Sequence, residues 1–538
     1  MVFARRSTTL LAAIIASCAM VLSLTACTSD NKTVVDGQTT VTSNSAGGVA
    51  VFTPSDGITL NQQMPLNKWA KLVPDLTKAL VDAGFKKGDI NHTTSDSLDK
   101  QSRAIQDFVV DHLSNNTTDD SGIAIAPDNM TLLVAPVVEA DASTRQYGDY
   151  VSQNLSTNDV TDEGATSDGE SSEDDSSNTE SDSTASDEQA QAVDRLVSSL
   201  KLAKESGMHV VLLGNSIEGY KPDAFVKFSD AQTIGKLQAE KMVSKLKLDK
   251  ASKDNPKYIE VLLPYTAMDE KGNANDSTFA QEAFRGIWQV LGSYYQKGVV
   301  ESPSGTLDGK STENDWQAVA YDAAKEGSTA KVLDKRLAKT DGQSTLTRID
   351  GIITMNDYIA SEVVKELDDL GYTGSAADIN PQITVSGIVG NITGKKDLSR
   401  DAVPDPIKSP ENDNANDSSS SDDDADEDTS ASDKDRDSQW PLVTGYGAYV
   451  SNIPSIVNGK QWMTGMEDRQ TIATDIAQAC AKLNKDEALN SMPSIRSSEV
   501  GGVKKIPTIS EPLLAVSASN LKSALIDPGY ISLADAGL

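Results

Sequence analysis

Short runs of apolar residues alternate with amphipathic segments from Gly47 to the C-terminus. The apolar runs are nearly continuous, which is typical of strands buried on both faces of a parallel sheet. The amphipathic segments repeat apolar residues every three to four positions and several end at glycine, which predicts helices that cover such a sheet. Predicted strands cover residues 48–52, 131–136, 209–213, 258–263, 351–354 and 382–387. Predicted helices cover residues 69–83, 190–206, 279–298, 316–337, 358–370 and 472–483, and another helix is expected to end near Leu155.

This alternation predicts an α/β protein with doubly wound parallel sheets. About 430 of the 538 residues lie outside the N-terminal segment and two low-complexity runs. That length fits two lobes of ordinary domain size. In doubly wound sheets, ligands bind beyond the carboxyl ends of the strands, so we expect the functional residues there.

Two acidic runs interrupt the pattern in loops. Residues 156–190 carry twelve acidic and no basic residues, and residues 411–438 carry twelve acidic and two basic residues. They account for most of the formal net charge of −32. With almost no apolar residues to bury, both runs are predicted to be disordered insertions. Calcium binding is the alternative, but neither run has the spacing of a calcium loop. The absence of clustered lysine and arginine argues against nucleic-acid binding.

The N-terminus has the layout of a secretory signal. Arg5 and Arg6 precede an apolar stretch from Leu10 to Leu24, and a small-residue site ends at Cys27. This layout resembles a bacterial lipoprotein signal, which implies a signal peptide over 1–26, acylation of Cys27 and a polar tether over 27–45. A membrane-spanning helix is the alternative, but about 15 apolar residues are fewer than the about 20 that a span needs.

The residues that support metal or nucleophilic chemistry are sparse. After Cys27, the chain has one more cysteine, Cys480, in a predicted helix, and its three histidines lack metal-ligand spacing. No nucleophile elbow or phosphate-binding loop is present in the sequence. We therefore expect no enzyme activity, no cofactor and no metal site.

Several motifs, in their order along the chain, resemble a known family. They are Asp223–Asp230, Ile234–Ala239, Gly351–Ala360, Val385–Gly387, Val457–Thr464, Ile506–Pro507, Ser519–Leu521 and Leu525–Tyr530. Together they resemble type I periplasmic sugar-binding proteins, the solute receptors of ABC importers, especially the xylose and multiple-monosaccharide branch. The resemblance spans about 47–530.

The resemblance implies two Rossmann-like lobes joined by a three-segment hinge, with the solute in the cleft between them. Lobe 1 would comprise 46–227 with 464–505, and lobe 2 would comprise 228–463 with 506–538. It also implies a sugar-like small molecule and an ABC permease as partners, a lipid anchor on the outer face of the cytoplasmic membrane, and a monomer. Hinge closure around the solute would create the form that the importer recognises.

Sugar recognition uses polar side chains for the hydroxyl groups and aromatic rings for the apolar faces. Carried over by position, the resemblance gives these ligand-binding candidates: Lys68, Trp69, Asn215, Asp230, Trp316, Asn356, Asp357, Glu467 and Asp468. For Asp230, Asn356 and Asp357, capping of the following helix is an alternative role. For Trp316, packing in the core is the alternative.

The chain departs from the family pattern at two charged anchors. Gly214-Asn215 stands where the family has Asp-Arg, and Ile388-Val389 stands where it has an aspartate. The solute is therefore expected to differ from the usual sugars, or else the cleft is degenerate and the protein is an interaction module. A lipoprotein that senses a ligand and signals to a membrane receptor is a further alternative.

Overall fold

A computed structural model describes residues 32–35, 38–41, 46–55, 65–115, 125–138, 145–156, 180–268, 275–338, 346–377 and 438–538. The chain forms two compact units, Met1–Asn44 and Ser45–Leu538. Cys27, the predicted strand 382–387 and most of both acidic runs lie outside the described residues. Within the first unit, one antiparallel hairpin is described, and everything below concerns the second unit.

The described strands and helices are numbered in chain order. The strands are β1 (Lys32–Val35), β2 (Gln38–Val41), β3 (Gly48–Pro54), β4 (Ile90–Ser95), β5 (Met130–Val134), β6 (Asn154–Leu155), β7 (His209–Leu213), β8 (Ser216–Ile217), β9 (Ala224–Lys227), β10 (Lys257–Val261), β11 (Leu263–Pro264), β12 (Val300–Glu301), β13 (Ala320–Tyr321), β14 (Gly351–Ile353), β15 (Leu442–Thr444), β16 (Met463–Met466), β17 (Ile495–Val500), β18 (Val503–Ser510) and β19 (Leu514–Ser517). The α-helices are α1 (Trp69–Asp82), α2 (Leu98–Asn115), α3 (Glu180–Glu205), α4 (Ala231–Leu246), α5 (Thr278–Gln296), α6 (Trp316–Val319), α7 (Ser328–Arg336), α8 (Asp357–Leu370), α9 (Ile453–Val457) and α10 (Arg469–Leu483). Single 3₁₀ turns cover Lys87–Asp89, Pro127–Asn129, Arg145–Tyr147, Leu248–Lys250, Val450–Asn452 and Leu489–Ser491, and a π-helical turn covers Lys522–Ile526.

Two mainly parallel sheets organise the second unit. The first sheet has seven strands in the order β17-β18-β9-β7-β5-β3-β4, and all neighbours are parallel except β17 and β18. The second sheet has four parallel strands in the order β12-β10-β14-β15. This is the α/β class that the sequence predicted.

Helices cover both faces of the first sheet because its central strands are apolar on both sides. In β3, Val49 packs in the same buried cluster as α1 and α10, whereas Phe52 faces the cluster that contains α2 and α3. Leu72, Leu76 and Leu80 place one buried stripe of α1 against α10. The second sheet has its own buried cluster with α4, α5, α7 and α8. Each sheet therefore has a separate hydrophobic core.

The chain passes between the two sheets three times. It leaves the first sheet after β9, returns from β16 to α10, and leaves again after β18 towards β19. Two of these passages pair, because β16 and β19 form an antiparallel ribbon. β18 extends in the first sheet as far as Ser510, where it pairs with Lys227.

Most predicted strands are confirmed, and the clearest errors concern segments without a strong pattern. The helix predicted over 316–337 is wrong, because the chain forms α6, then β13, and then starts α7 after Gly327. The helix expected near Leu155 is also wrong, because residues 154–155 are a short strand that pairs with β8. Helix α3 begins at Glu180, ten residues before the predicted start.

Over the described residues, no helix is both long and apolar enough to cross a bilayer.

Candidate functional site

Segments that follow the carboxyl ends of strands in both sheets contact each other. The backbone N–H of Leu66 donates to the carbonyl of Gly447 over 2.9 Å. The hydroxyl groups of Ser229 and Tyr446 share a hydrogen bond. Because ligands of doubly wound proteins bind at such strand ends, this boundary between the sheets is the candidate site.

Lys68 and Trp69 lie at the start of α1, after β3. The Lys68 Nζ forms an ion pair with Asp149 over 2.7 Å, and the two side chains are 18% and 19% exposed. The backbone N–H of Trp69 donates to the other oxygen of Asp149 over 3.0 Å. The Trp69 ring is buried edge-on against Tyr150 and Phe228 in the core of the first sheet. Lys68 therefore offers a partly exposed positive charge, whereas Trp69 is a packing residue in this conformation.

Asn356 follows β14 and contacts both α8 and the 3₁₀ turn Arg145–Tyr147. Its Oδ1 accepts from the backbone N–H of Ile359 over 2.9 Å, so it caps α8 as the alternative interpretation expected. Its Nδ2 donates to the Oε1 of Gln146 over 3.1 Å. One side chain thus both caps a helix and holds the turn that follows β5.

Asp357 is fully buried, and its carboxylate accepts hydrogen bonds from within the protein. The donors include Tyr449 N–H at 2.9 Å, the Thr464 hydroxyl at 2.8 Å and the Gln461 amide at 2.7 Å. Burial raises the pKa of the Asp357 carboxyl to about 6, although these donors oppose the shift. No cation pairs with it in the contacts of the described residues. In this conformation the Asp357 carboxylate links the loop that follows β15 to strand β16 by hydrogen bonds, and its side chain has no exposed surface.

Glu467 is another predicted residue that lies in the boundary. Its Oε1 accepts from the backbone N–H of Ser229 over 2.5 Å, and the Tyr446 hydroxyl lies 3.5 Å away. Burial raises the pKa of the Glu467 carboxyl to about 7, and nearby Asp230 adds to the effect. Glu467 therefore links the first passage between the sheets to the second.

Two further candidates cap helices. Asp230 accepts from the backbone N–H of Thr233 over 2.7 Å at the start of α4 and pairs with Lys227. Burial opposes ionisation of Asp230, but the hydrogen bonds outweigh it and lower its pKa. Asp468 accepts from the N–H of Thr471 over 3.2 Å at the start of α10. Both carboxylates satisfy N–H groups that a helix leaves without internal partners.

Asn215 and Trp316 are engaged within the fold. Asn215 is buried, with Nδ2 donating to the carbonyl of Pro136 and Oδ1 accepting from the N–H of Gln153. Trp316 packs edge-on against Tyr265 in the core of the second sheet, as its alternative interpretation expected.

The sequence interpretation expected a helix ending near Leu155 and assigned no functional residue to the segment that lies between the two groups of candidates. We call Arg145–Leu155 the bridging segment. It follows β5, has no periodic pattern, and packs Tyr147 in the core of the second sheet and Tyr150 in that of the first. Gly148 has φ +93°, and a Cβ there would lie 2.5 Å from the carbonyl oxygen of Asn67. Two tyrosines around a glycine after a strand end were the available signal.

A buried donor next to Lys68 in the chain has no hydrogen-bond partner among the residues that the structure describes. The Nδ2 of Asn67 makes no hydrogen bond to the described residues, although its side chain is only 1% exposed. The Ser152 hydroxyl is in the same situation. An unsatisfied buried polar atom costs about 1–3 kcal/mol, so these atoms mark places where a polar molecule would be stabilising.

No protein-family model matches the chain, and no curated protein matches it. The chain has partial structural matches among solved proteins. An ABC transporter solute-binding protein from Clostridium phytofermentans, with bound β-D-glucose, is 17% identical with a TM-score of 0.45 over 91% of this chain and 99% of that one. A carbohydrate transporter solute-binding protein from Chloroflexus aurantiacus, in complex with D-glucose, is 17% identical with a TM-score of 0.44 over 92% of this chain and 98% of that one. A periplasmic ribose ABC transporter protein from Conexibacter woesei is 12% identical with a TM-score of 0.41 over 90% and 96%, respectively.

The α/β class of this chain follows from its own two parallel sheets. Four of the nine predicted residues lie in or beside the boundary between the sheets. Lys68, Asn356 and Glu467 lie in it, and Asp357 is the next residue after Asn356. Trp316 is buried in the core of the second sheet instead.

Proposed function

We propose that this protein is the solute-binding component of an ABC importer and that it binds a monosaccharide or a related small polar molecule between its two sheets. The observation that carries the proposal is the chain path. Two parallel sheets with separate cores meet at their strand carboxyl ends, and the chain passes between them three times. Three adjacent passages are suited to a hinge, so the two halves would close on a solute as lobes.

The boundary holds the polar groups that such a solute needs. Lys68 supplies a charged donor, Asn356 supplies an amide, and Asn67 supplies a buried donor without a partner among the described residues. Tyrosine rings lie beside them, with Tyr147 and Tyr446 at a centroid distance of 6.3 Å. Amides, a cation and aromatic faces suit a hydroxylated ring better than an apolar ligand.

We also propose that the protein is anchored by lipid on Cys27, outside the cytoplasmic membrane. The support is the sequence layout of a basic start, an apolar stretch and a cysteine. Mass spectrometry of the N-terminal peptide of the mature protein tests this. A diacylated Cys27 is expected, and an unmodified peptide that begins upstream of it would refute the anchor.

Binding of sugars to the full chain tests the main proposal. A calorimetric titration with D-glucose, D-ribose, L-arabinose and myo-inositol is expected to give saturable binding of at least one of them, with the ligand recovered unchanged. Lys68→Ala should weaken that binding roughly 10- to 100-fold, since a hydrogen bond to a charged group contributes about 1.5–3 kcal/mol.

Lys204→Ala is the matched control for Lys68→Ala. Lys204 pairs with Asp223 over 2.8 Å at 29% exposure, at the amino ends of β7 and β9 and therefore at the opposite end of the first sheet from the boundary. This variant should bind the sugar as the wild type does. Equal losses in both variants, or turnover of the sugar, would contradict the proposed function.

A further inference from the structure

The bridging segment makes contacts with an unusual share of the predicted solute-binding residues. Four of the nine, Lys68, Trp69, Asn215 and Asn356, accept or donate hydrogen bonds to residues 146–153. These four come from three different strand ends in two sheets. A single stretch of eight residues therefore engages Lys68 and Asn356, the two side chains of this group that the proposed function assigns to a small solute.

The contacts on the first sheet satisfy the positive charge at the start of α1. Asp149 pairs with Lys68 over 2.7 Å and also accepts from the N–H of Trp69. Its own N–H donates to the carbonyl of Asn67 over 2.8 Å. The Tyr150 hydroxyl donates to the carbonyl of Lys68 over 2.5 Å. The negative charge of Asp149 is thus stabilised by two positive partners, the Lys68 ammonium group and the N-terminus of α1, and hydrogen bonds between charged groups are stronger than those between neutral groups.

The contacts on the second sheet use a different part of the segment. The Gln146 side chain accepts from Asn356, and its carbonyl accepts from the Tyr449 hydroxyl over 2.7 Å. The Tyr147 ring lies against Phe279 at a centroid distance of 4.7 Å. The segment is thus held by hydrogen bonds and aromatic packing on both sides of the boundary.

We propose that the bridging segment is an internal occupant of the solute site. It keeps the two sheets together in the absence of solute, and a solute has to displace it from Lys68 and Asn356. This inference rests on the proposed function for the identity of the site, but its conformational part can be tested separately. When only a fraction of molecules is competent to bind, the apparent affinity falls by that fraction.

The conformational test measures the distance between the two halves. Spin labels are placed at exposed positions on α2 and α8 by Asp111→Cys and Lys365→Cys, in a full chain with Cys18→Ser and Cys27→Ser. The native Cys480 is buried and is not expected to react. The parent protein should give one short distance without sugar. Tyr147→Ala with Asp149→Asn should add a population at longer distance.

Asp223→Asn is the matched control because its contacts are of the same kind. Asp223 pairs with Lys204 over 2.8 Å and accepts from the N–H of Val210 over 2.8 Å, but within the first sheet. This variant should keep the single short distance. A distance distribution for Tyr147→Ala with Asp149→Asn that equals that of the parent would overturn the proposal.

The binding test uses D-glucose as the probe on the same proteins. The opened variant is expected to bind D-glucose at least about tenfold more tightly than the parent. Equal affinities in the two proteins would refute displacement of the segment by solute. If neither protein binds any sugar of the panel, the proposed function fails, while the distance measurement still decides whether the segment holds the halves together.

Discussion

Replacing Asp357 with alanine is expected to lower the free energy of unfolding by roughly 3–5 kcal/mol, since buried donors left without an acceptor cost about 1–3 kcal/mol each. The carboxylate accepts from Tyr449 N–H, the Thr464 hydroxyl and the Gln461 amide, all at 2.7–2.9 Å and all buried. Alanine leaves these donors facing an apolar methyl group. The residual cavity adds to the loss.

Urea unfolding of the full chain, followed by circular dichroism, measures the difference. Asp368→Ala on the same helix is the control, because Asp368 is 53% exposed and pairs with Lys460 at the surface. Its effect should stay within about 1 kcal/mol. Asp357→Asn is expected to fall between the two, since it keeps one acceptor but turns a donor towards Gln461 or Tyr449. A loss for Asp357→Ala as small as for Asp368→Ala would contradict a stabilising network.

The hydrogen bonds of Asp357 show why the sequence could locate the candidate site but could not determine the role of each residue in it. Asn356-Asp357 directly follows a buried strand, and this pattern correctly indicated a strand end. The same pattern is produced by a helix cap and by a ligand-binding residue. The partners that separate these roles, Gln146 and Gln461, lie about a hundred or more residues away in the chain. Local pattern carries no information on such contacts.

Strands that are buried on both faces of a sheet could be predicted from the sequence, whereas exposed strands could not. Residues 209–213 were predicted as a strand with the observed bounds because the four residues after His209 are apolar and buried. By contrast, β4 was missed, since Ile90–Ser95 is mostly polar and exposed at the edge of the first sheet. The bridging segment was predicted to be the end of a helix, and that prediction was wrong for a different reason. Its order comes from contacts with two separate cores rather than from any periodicity of its own.

Replacing Glu467 with glutamine is expected to stabilise the protein relative to the wild type at alkaline pH but not at acidic pH. The pKa of Glu467 is about 7 in the folded protein because of burial, compared with an ordinary value of 4.5. A difference of that size corresponds to about 3 kcal/mol, since each pKa unit is worth about 1.4 kcal/mol. Glutamine stays neutral and can still accept from the N–H of Ser229.

The sign follows from which state binds the proton more tightly. Between pH 4.5 and about 7 the folded state holds a proton on Glu467 that the unfolded state has released, so the wild type loses stability as pH rises through this window. The gain of Glu467→Gln over the wild type should therefore grow by about 3 kcal/mol from pH 4.5 to pH 8.5, as measured by urea unfolding at each pH. The pKa of Asp357 is also raised by burial, but Asp357 is present in both proteins and its effect cancels in the difference.

Glu487→Gln is the control, because exposed Glu487 pairs with Lys482, which lowers its pKa and keeps it ionised throughout the upper part of the window. Its difference from the wild type should be flat from pH 6 to 8.5, and an equally flat profile for Glu467→Gln would show that the link between the first and second passages does not titrate.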